Sequence, residues 1–281
     1  LTAPRTIRLG VIGTREAIDG VKRWLDKCRG PIAAKQSHLT GLFLSFPGFD
    51  TNVGFRSTLV WDTRLERQIA AHHLRGIETL SPREAVKAAV DLYDAELQAL
   101  NEEPSCDVVL VCRPDALPEQ VVNPGNADRP WVEPRAEHAG VDFRSLLKAR
   151  SLKTSRPIQI IRRETWDRTY RPRDRGERRQ QQDEATKAWN LHTALYYKAG
   201  GVPWRMTRAS NDLTSCFVGV AFYRDSAGDT LQTSVAQIFN QRGDGVIVRG
   251  APARQSKDDR QPHLTEADAK AVLRDVLIRE L

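Results

Sequence analysis

Five apolar residues in succession, Val108–Cys112, stand between Asp107 and an Arg113-Pro114 break. A run that short suits a strand rather than a helix, and with no polar residue on either side of the pleat it must be covered on both faces. A parallel sheet with helices packed on each face meets that requirement, and no other feature of the 281 residues constrains the fold as much. The neighbouring segments agree. Ile7, Leu9, Val11 and Ile12 form a second short apolar run ending at Gly13. Thr14 then reads as the N-cap of a helix with Glu16 in its first turn and Ile18, Val21, Trp24 and Leu25 along one face, stopped by Gly30-Pro31. Residues 81–100 read as another helix, with Ser81 as N-cap, Pro82 at the first helical position and Val86, Ala89, Val90, Tyr93 and Leu97 on its apolar face. The fold class expected is α/β.

The alternation continues. Residues 142–150 predict a helix turning Phe143, Leu146 and Leu147 inward, and 157–161 a strand. Residues 162–182 read as a polar, Arg-rich excursion. Asp183 caps a further helix through Tyr197, closed by Lys198-Ala199-Gly200-Gly201 with Pro203 beyond. Trp189, Tyr196 and Tyr197 recur there at core spacing, and His192 reads as a packed or surface histidine. Earlier in the chain, Phe46-Pro47-Gly48-Phe49 marks a turn and 55–61 a strand, and the Pro- and charge-rich 123–137 is a loop. The last 80 residues change character: strands at 216–223 and 230–239 joined by a turn at 225–229, a tight turn at 243–245 into a third strand, then a helix over 263–281 capped by Thr265.

Composition excludes several classes. Hydrophobic residues are 40% and charged residues 28%, enough to build a core and too apolar for a disordered chain. No run approaches the 18–20 apolar residues of a membrane span, and the N-terminus has no apolar signal region, although it also lacks an initiator Met. Cys28, Cys106, Cys112 and Cys216 form no C-x-x-C pair, so neither a zinc site nor a disulfide framework is expected, and the chain reads as soluble and cytoplasmic. The net charge of +7 is unevenly spread: residues 142–179 hold 13 basic and 5 acidic side chains, a net +8, which leaves the other 243 residues at −1. Such a segment is either a solvated face or the footprint of a polyanion. The string LGVIGTRE, a strand–Gly–helix junction, invites a small-nucleotide reading at Gly10 to Thr14 but lacks the G-x-G-x-x-G spacing.

Three longer stretches carry a family resemblance. RPIQIIRRETW followed by QQDEATKAWNLHTALYYKAGGVPWRM, then CFVGVAFYRDSAGD, then SVAQIFNQRGDGVIVRG, resemble in their order the MID–PIWI core of prokaryotic Argonautes, from about Asp142 to Leu281 and more loosely back to Ile7. The resemblance implies a Rossmann-like MID domain plus the first part of an RNase-H-like PIWI domain. The organisation expected is an N-terminal β/α segment at 1–80 preceding or packing on the rest, a guide-binding MID domain at 81–205 and a PIWI portion at 206–281. A complete PIWI domain continues further, so the chain reads as one part of a longer or split protein.

In that family an aromatic or His, a Lys one turn later, a Gln on the next strand and a Lys at a helix end surround the guide's terminal phosphate. Matching positions here are Arg144 in place of the aromatic, then Lys148, Gln159 and Lys198. Arg162 and Arg163 are the candidate guide-backbone contacts. Arg144 can stack on a first base or fork onto the phosphate, and Ala194 replaces a second Lys of some relatives. Taken singly, Gln159 is an ordinary strand residue and Lys198 an ordinary cation at a helix end; the case rests on the four together. The resemblance further implies a short guide RNA or DNA, a complementary target strand, a separate effector protein in prokaryotic defence, and in some relatives Mg2+ at the guide 5′ phosphate.

Slicing in the family needs an Asp on the first PIWI strand, to hold metal ions at the scissile phosphate. In Phe217-Val-Gly-Val-Ala221, Ala221 stands where that Asp belongs, so no slicer activity is expected and no metal ligand is assigned. The competing readings are an active RNase-H-like nuclease using Asp225, Asp229 and Asp244, all in turns, and a Rossmann-type small-nucleotide enzyme at the Gly10–Thr14 junction.

Overall fold

The computed structural model describes residues 3–38, 41–103, 105–115, 117, 142–170, 182–204, 217–224, 231–239, 245–248, 253–255 and 262–280. The chain divides into two compact units, Leu1–Asn126 with Val141–Trp204, and Ala127–Gly140 with Arg205–Leu281. Residues 1–80 belong to the first unit, where they supply two of its four strands.

The sheet of the first unit is wholly parallel. Strand β1 (Thr6–Gly13) lies between β2 (Thr58–Gln68) and β3 (Val108–Cys112), and β4 (Ile158–Ile161) pairs outside β3, for the order β2-β1-β3-β4. Because successive side chains alternate across a strand, β3 serves both faces. Val108, Leu110 and Cys112 join Ile7, Leu9 and Val11 under α1 (Arg15–Lys27) and α6 (Glu184–Lys198), while Val109 and Val111 face α3 (Pro82–Asn101) and α4 (Phe143–Ser151). Each is nearly fully buried, which for Val or Leu contributes about 1.5–3 kcal/mol.

Local chemistry sets the helix ends. The Thr14 hydroxyl accepts from Ala17 N at 3.3 Å, and the Asp142 and Asp183 carboxylates accept from Ser145 N at 2.9 Å and Thr186 N at 3.0 Å. Ser81 and Glu84 form a capping box ahead of α3. At the far end of α6, Gly200 adopts φ +88°, and the Gly200 and Gly201 amides reach back to the Tyr197 and Tyr196 carbonyls at 3.0 and 2.9 Å.

Five elements depart from the sequence reading. β2 starts at Thr58, not 55, and runs on to Gln68, because Asp62, Arg64, Glu66 and Arg67 stand on a sheet edge where charge is tolerated; its register jumps between Leu9↔Trp61 and Val11↔Glu66. Helix α2 (Ala71–Ile77) buries only Leu74 and Ile77, too little to show as a pattern. A one-turn helix α5 (Arg163–Trp166) occupies the segment read as an excursion. In the second unit a two-residue pairing, β8 (Arg254–Gln255) with β9 (Pro262–His263), was not foreseen.

The second unit contains the expected meander and helix. β5 (Phe217–Arg224), β6 (Leu231–Phe239) and β7 (Gly245–Val248) pair antiparallel in sequence order, with a register shift at Ala221/Phe222, and α7 (Glu266–Glu280) packs on β6 and β7. The Thr265 hydroxyl accepts from Asp268 N at 3.2 Å. The loop at 123–137, the turn residues Asp225, Asp229 and Asp244, and Cys216 lie outside the described residues. Among the described residues no helix is long and apolar enough to cross a membrane. Cys28, Cys106 and Cys112 are free and buried, and burial pushes the Cys28 and Cys112 thiols up to about 12, so they act as small apolar groups.

Candidate functional site

Helix α4 buries Phe143 and Leu147 against the sheet, with Phe143 edge-on to Tyr93 at 5.2 Å. Fixing those two positions turns Arg144 and Lys148, one helical turn apart, to another face. On β4, Ile158 and Ile161 are buried and Gln159 is half-buried between them. Gln159 Nε2 donates to the Ile160 carbonyl at 3.1 Å, which orients Oε1 to accept from Lys198 Nζ at 2.5 Å. Lys198 is the last residue of α6, where the C-terminal dipole favours a cation.

Of the four expected phosphate-binding residues, Lys198 and Gln159 are in contact, and Lys148 and Arg144 lie near enough to Lys198 to act on its charge. Burial lowers the Lys198 pKa, and the positive charges of Lys148 and then Arg144 lower it further. Lys148 is lowered by burial and then by Arg144, with Asp142 opposing. Among the described residues none of the three cations forms an ion pair, whereas Arg15, Lys22, Lys27, Arg150 and Lys270 each do. Converging cations without carboxylate partners make a receptor for a compact polyanion, and a terminal phosphate carries close to two charges.

Arg163 is placed elsewhere. Its guanidinium bonds Glu16 at 2.6 Å, Asp115 at 2.9 Å and Asp167 at 2.9 Å, and it stacks over Trp166 and Tyr170 at 5.4 and 5.0 Å. Burial works against its charge, but Asp115 and Asp167 together hold its pKa above the ordinary value. Three of its donors are thus held by carboxylates, in contrast to Arg144, Lys148 and Lys198, which form no ion pair among the described residues. Arg162, half-buried just before α5, forms no ion pair among the described residues.

The same Arg163 network bears on the small-nucleotide reading. A 2-1-3-4 parallel order puts the topological switch point at the carboxyl ends of β1 and β3. The crevice there, about 200 Å3, is lined by Thr14, Glu16, Arg75, Arg113, Asp115 and Arg163 among others, and of its arginines Arg163 is already paired with Glu16 and Asp115. The glycines of the junction serve packing: a Cβ on Gly10 would stand 3.0 Å from Cys106 Sγ, and one on Gly13 2.7 Å from Cys112 Cβ.

The aromatic residues of α6 divide. Tyr196 stacks on Phe55 at 4.6 Å and Trp189 Nε1 donates to the Ser45 carbonyl at 3.0 Å, as core residues do, but Tyr197 is 58% exposed. Helical spacing alone did not separate Tyr196 from its neighbour, since the two lie on adjacent faces. His192 is fully buried on α6, against the Phe46 and Phe49 rings. Its one signal in the sequence is the position four residues after Ala188 on the apolar face. Ala221 on β5 is exposed and pairs with Val235.

No protein-family model matches this sequence, and no curated protein matches it.

Proposed function

We propose that this chain is an Argonaute-like protein without slicer activity. In this reading it is a MID–PIWI core that holds the 5′ phosphate of a short guide RNA or DNA and offers the guide for pairing with a complementary target. Any chemistry in the defence response belongs to a separate effector protein. The first unit is then a Rossmann-like MID domain extended at its N-terminus, and the second the opening of an RNase-H-like PIWI domain with Ala221 in place of a metal-binding Asp. The observation that carries the reading is Lys198 held on Gln159, with the charges of Lys148 and Arg144 near enough to act on it and no ion pair to any of the three cations among the described residues.

The donor set does not suit a divalent cation. Three of the four groups are themselves cationic, Gln159 Oε1 is committed to Lys198, and the Asp142 carboxylate accepts from Ser145 N as a helix cap. Side-chain cations, not Mg2+, therefore neutralise the phosphate, and no step is assigned to a metal.

The test is equilibrium binding of one oligonucleotide sequence bearing either a 5′ phosphate or a 5′ hydroxyl, as RNA and as DNA, with and without EDTA. Charge-assisted hydrogen bonds of about 1.5–3 kcal/mol predict a preference for the phosphate of about tenfold or more. That preference should survive EDTA. Equal affinities for the two ends would overturn the proposal, and Mg2+-dependent cleavage of a paired target would favour the nuclease reading.

A further inference from the structure

Lys198 is held by an acceptor that carries no charge. Its Nζ donates to Gln159 Oε1 at 2.5 Å, and among the described residues no carboxylate pairs with it. A carboxylate keeps a lysine in its ammonium form, as Glu66 does for Lys22, Glu184 for Lys27 and Glu266 for Lys270. An amide oxygen has no such preference, because it accepts from a neutral amine as readily in geometry as from an ammonium. One N–H of a neutral Nζ makes that bond and leaves the nitrogen lone pair free.

The surroundings act in the same direction. Lys198 is half-buried, and α4 brings the positive charges of Lys148 and Arg144 near it while β4 contributes the uncharged Gln159. Burial lowers its pKa most, then those two charges, and no acid among the described residues opposes them. Asp142 raises Lys148 and does not act on Lys198. A lysine in such a place is a free amine more often than one in an ion pair, and a free amine is a nucleophile. Arg144 and Lys148 add what a bare nucleophile lacks, a pair of cations that draw a phosphate-bearing reagent to it.

We propose that Lys198 is a modification site for small acyl phosphates, with the phosphate held by Arg144 and Lys148 and the acyl group transferred to Nζ. The neutral amine attacks the acyl carbon. A C–N bond forms, the C–O bond to phosphate breaks, inorganic phosphate leaves with the electron pair, and the surplus proton of the amine passes to it. An uncharged amide replaces the cation. The acylation does not depend on the guide-binding reading; its consequence, the loss of a charge that holds the guide phosphate, rests on that reading.

Incubation of the full chain with acetyl phosphate, with the acetylation of each lysine followed by peptide mass spectrometry, tests the proposal. Lys198 should react at least about tenfold faster than Lys27 and Lys270, although both are more exposed. That factor matches one charge-assisted hydrogen bond to the phosphate of the reagent. Excess inorganic phosphate should remove the lead by occupying Arg144 and Lys148. Gln159→Glu, which gives Lys198 a carboxylate, should slow it to the rate of the ion-paired lysines. If that variant fails to fold, the unaltered chain with and without inorganic phosphate decides. Equal rates at Lys198, Lys27 and Lys270 would overturn the proposal, as would a lead that inorganic phosphate leaves intact. The acetylated chain should also lose its preference for a 5′-phosphorylated oligonucleotide. A preference that survives full acetylation of Lys198 would count against the guide-binding reading and leave the modification standing.

Discussion

Lys198 donates to the side-chain oxygen of Gln159 at 2.5 Å, joining a helix end to an edge strand 39 positions away in sequence. The amide fixes the ammonium in place but cannot neutralise it. Arg144 and Lys148 add charge of the same sign, and each lysine is shifted toward its neutral form by burial and by the neighbouring cations. Arg163, by contrast, is matched with Glu16, Asp115 and Asp167. The cluster therefore carries positive charge that no carboxylate among the described residues offsets, which is what the proposed phosphate site requires.

Removing the lysines should expose that difference. Lys148→Ala or Lys198→Ala should each weaken binding of a 5′-phosphorylated oligonucleotide by about 10- to 100-fold, the equivalent of a charge-assisted hydrogen bond. The double variant should also flatten the dependence of log K on log salt by about one to two, since fewer counterions are displaced. Titrations at several salt concentrations measure both effects. An unchanged slope would show that the phosphate lies elsewhere.

Arg163→Ala should behave in the opposite way. Glu16, Asp115 and Asp167 would lose their shared partner and α5 its tie to the carboxyl end of the sheet, so urea unfolding should show a loss of about 1–3 kcal/mol. The oligonucleotide salt slope should not change. A flattened slope in this variant would restore Arg163 as a backbone contact.

Much of this arrangement was legible before the structure, for identifiable reasons. Val108–Cys112 announces a doubly covered strand because nothing else buries five consecutive apolar residues, and Thr14, Ser81, Asp142 and Asp183 announce helix starts because capping is a local interaction. The edge strand β2 was cut short because burial on one side of a sheet edge leaves a charged, irregular sequence. For the site, Gln159 and Lys198 were visible only as a family pattern; their contact is tertiary. The ion pairs of Arg163 were not legible because charge counting cannot see Glu16, 147 positions away, arriving at 2.6 Å. The burial of His192 was not legible because packing against Phe46 and Phe49 is a tertiary property, not one of spacing.

Gly20 shows the same limit in energetic terms. In mid-helix α1, Gly→Ala is ordinarily stabilising by about 1 kcal/mol. A Cβ at this position would lie 2.2 Å from Cε3 of the Trp166 ring, so α1 and α5 could not keep their approach. Gly20→Ala should therefore destabilise the chain by about 1–3 kcal/mol in chemical denaturation, as overpacking does. Combining it with Trp166→Ala should cost less than the sum of the two single changes, because the clash is gone. Strict additivity would show that the helices do not meet there.

The buried imidazole should also limit stability in acid. Burial holds His192 down to about 4, the Ala188 hydrogen bond opposing only in part, against about 6.5 in an unfolded chain. Above pH 6.5 both states are neutral at this residue and its contribution is constant. As pH falls from 6.5 toward 4, the unfolded chain takes up a proton that the folded chain refuses, so the equilibrium moves toward unfolding. The drop from 6.5 to about 4 corresponds to a loss of about 3 kcal/mol by pH 4. Carboxylates titrate in the same range, so the measurement is a difference: urea unfolding at pH 7 and pH 4 for the unaltered chain and for His192→Phe. The unaltered chain should lose about 3 kcal/mol more than the variant. Equal losses would mean that the folded state admits a protonated His192, and hence that water already reaches Nε2.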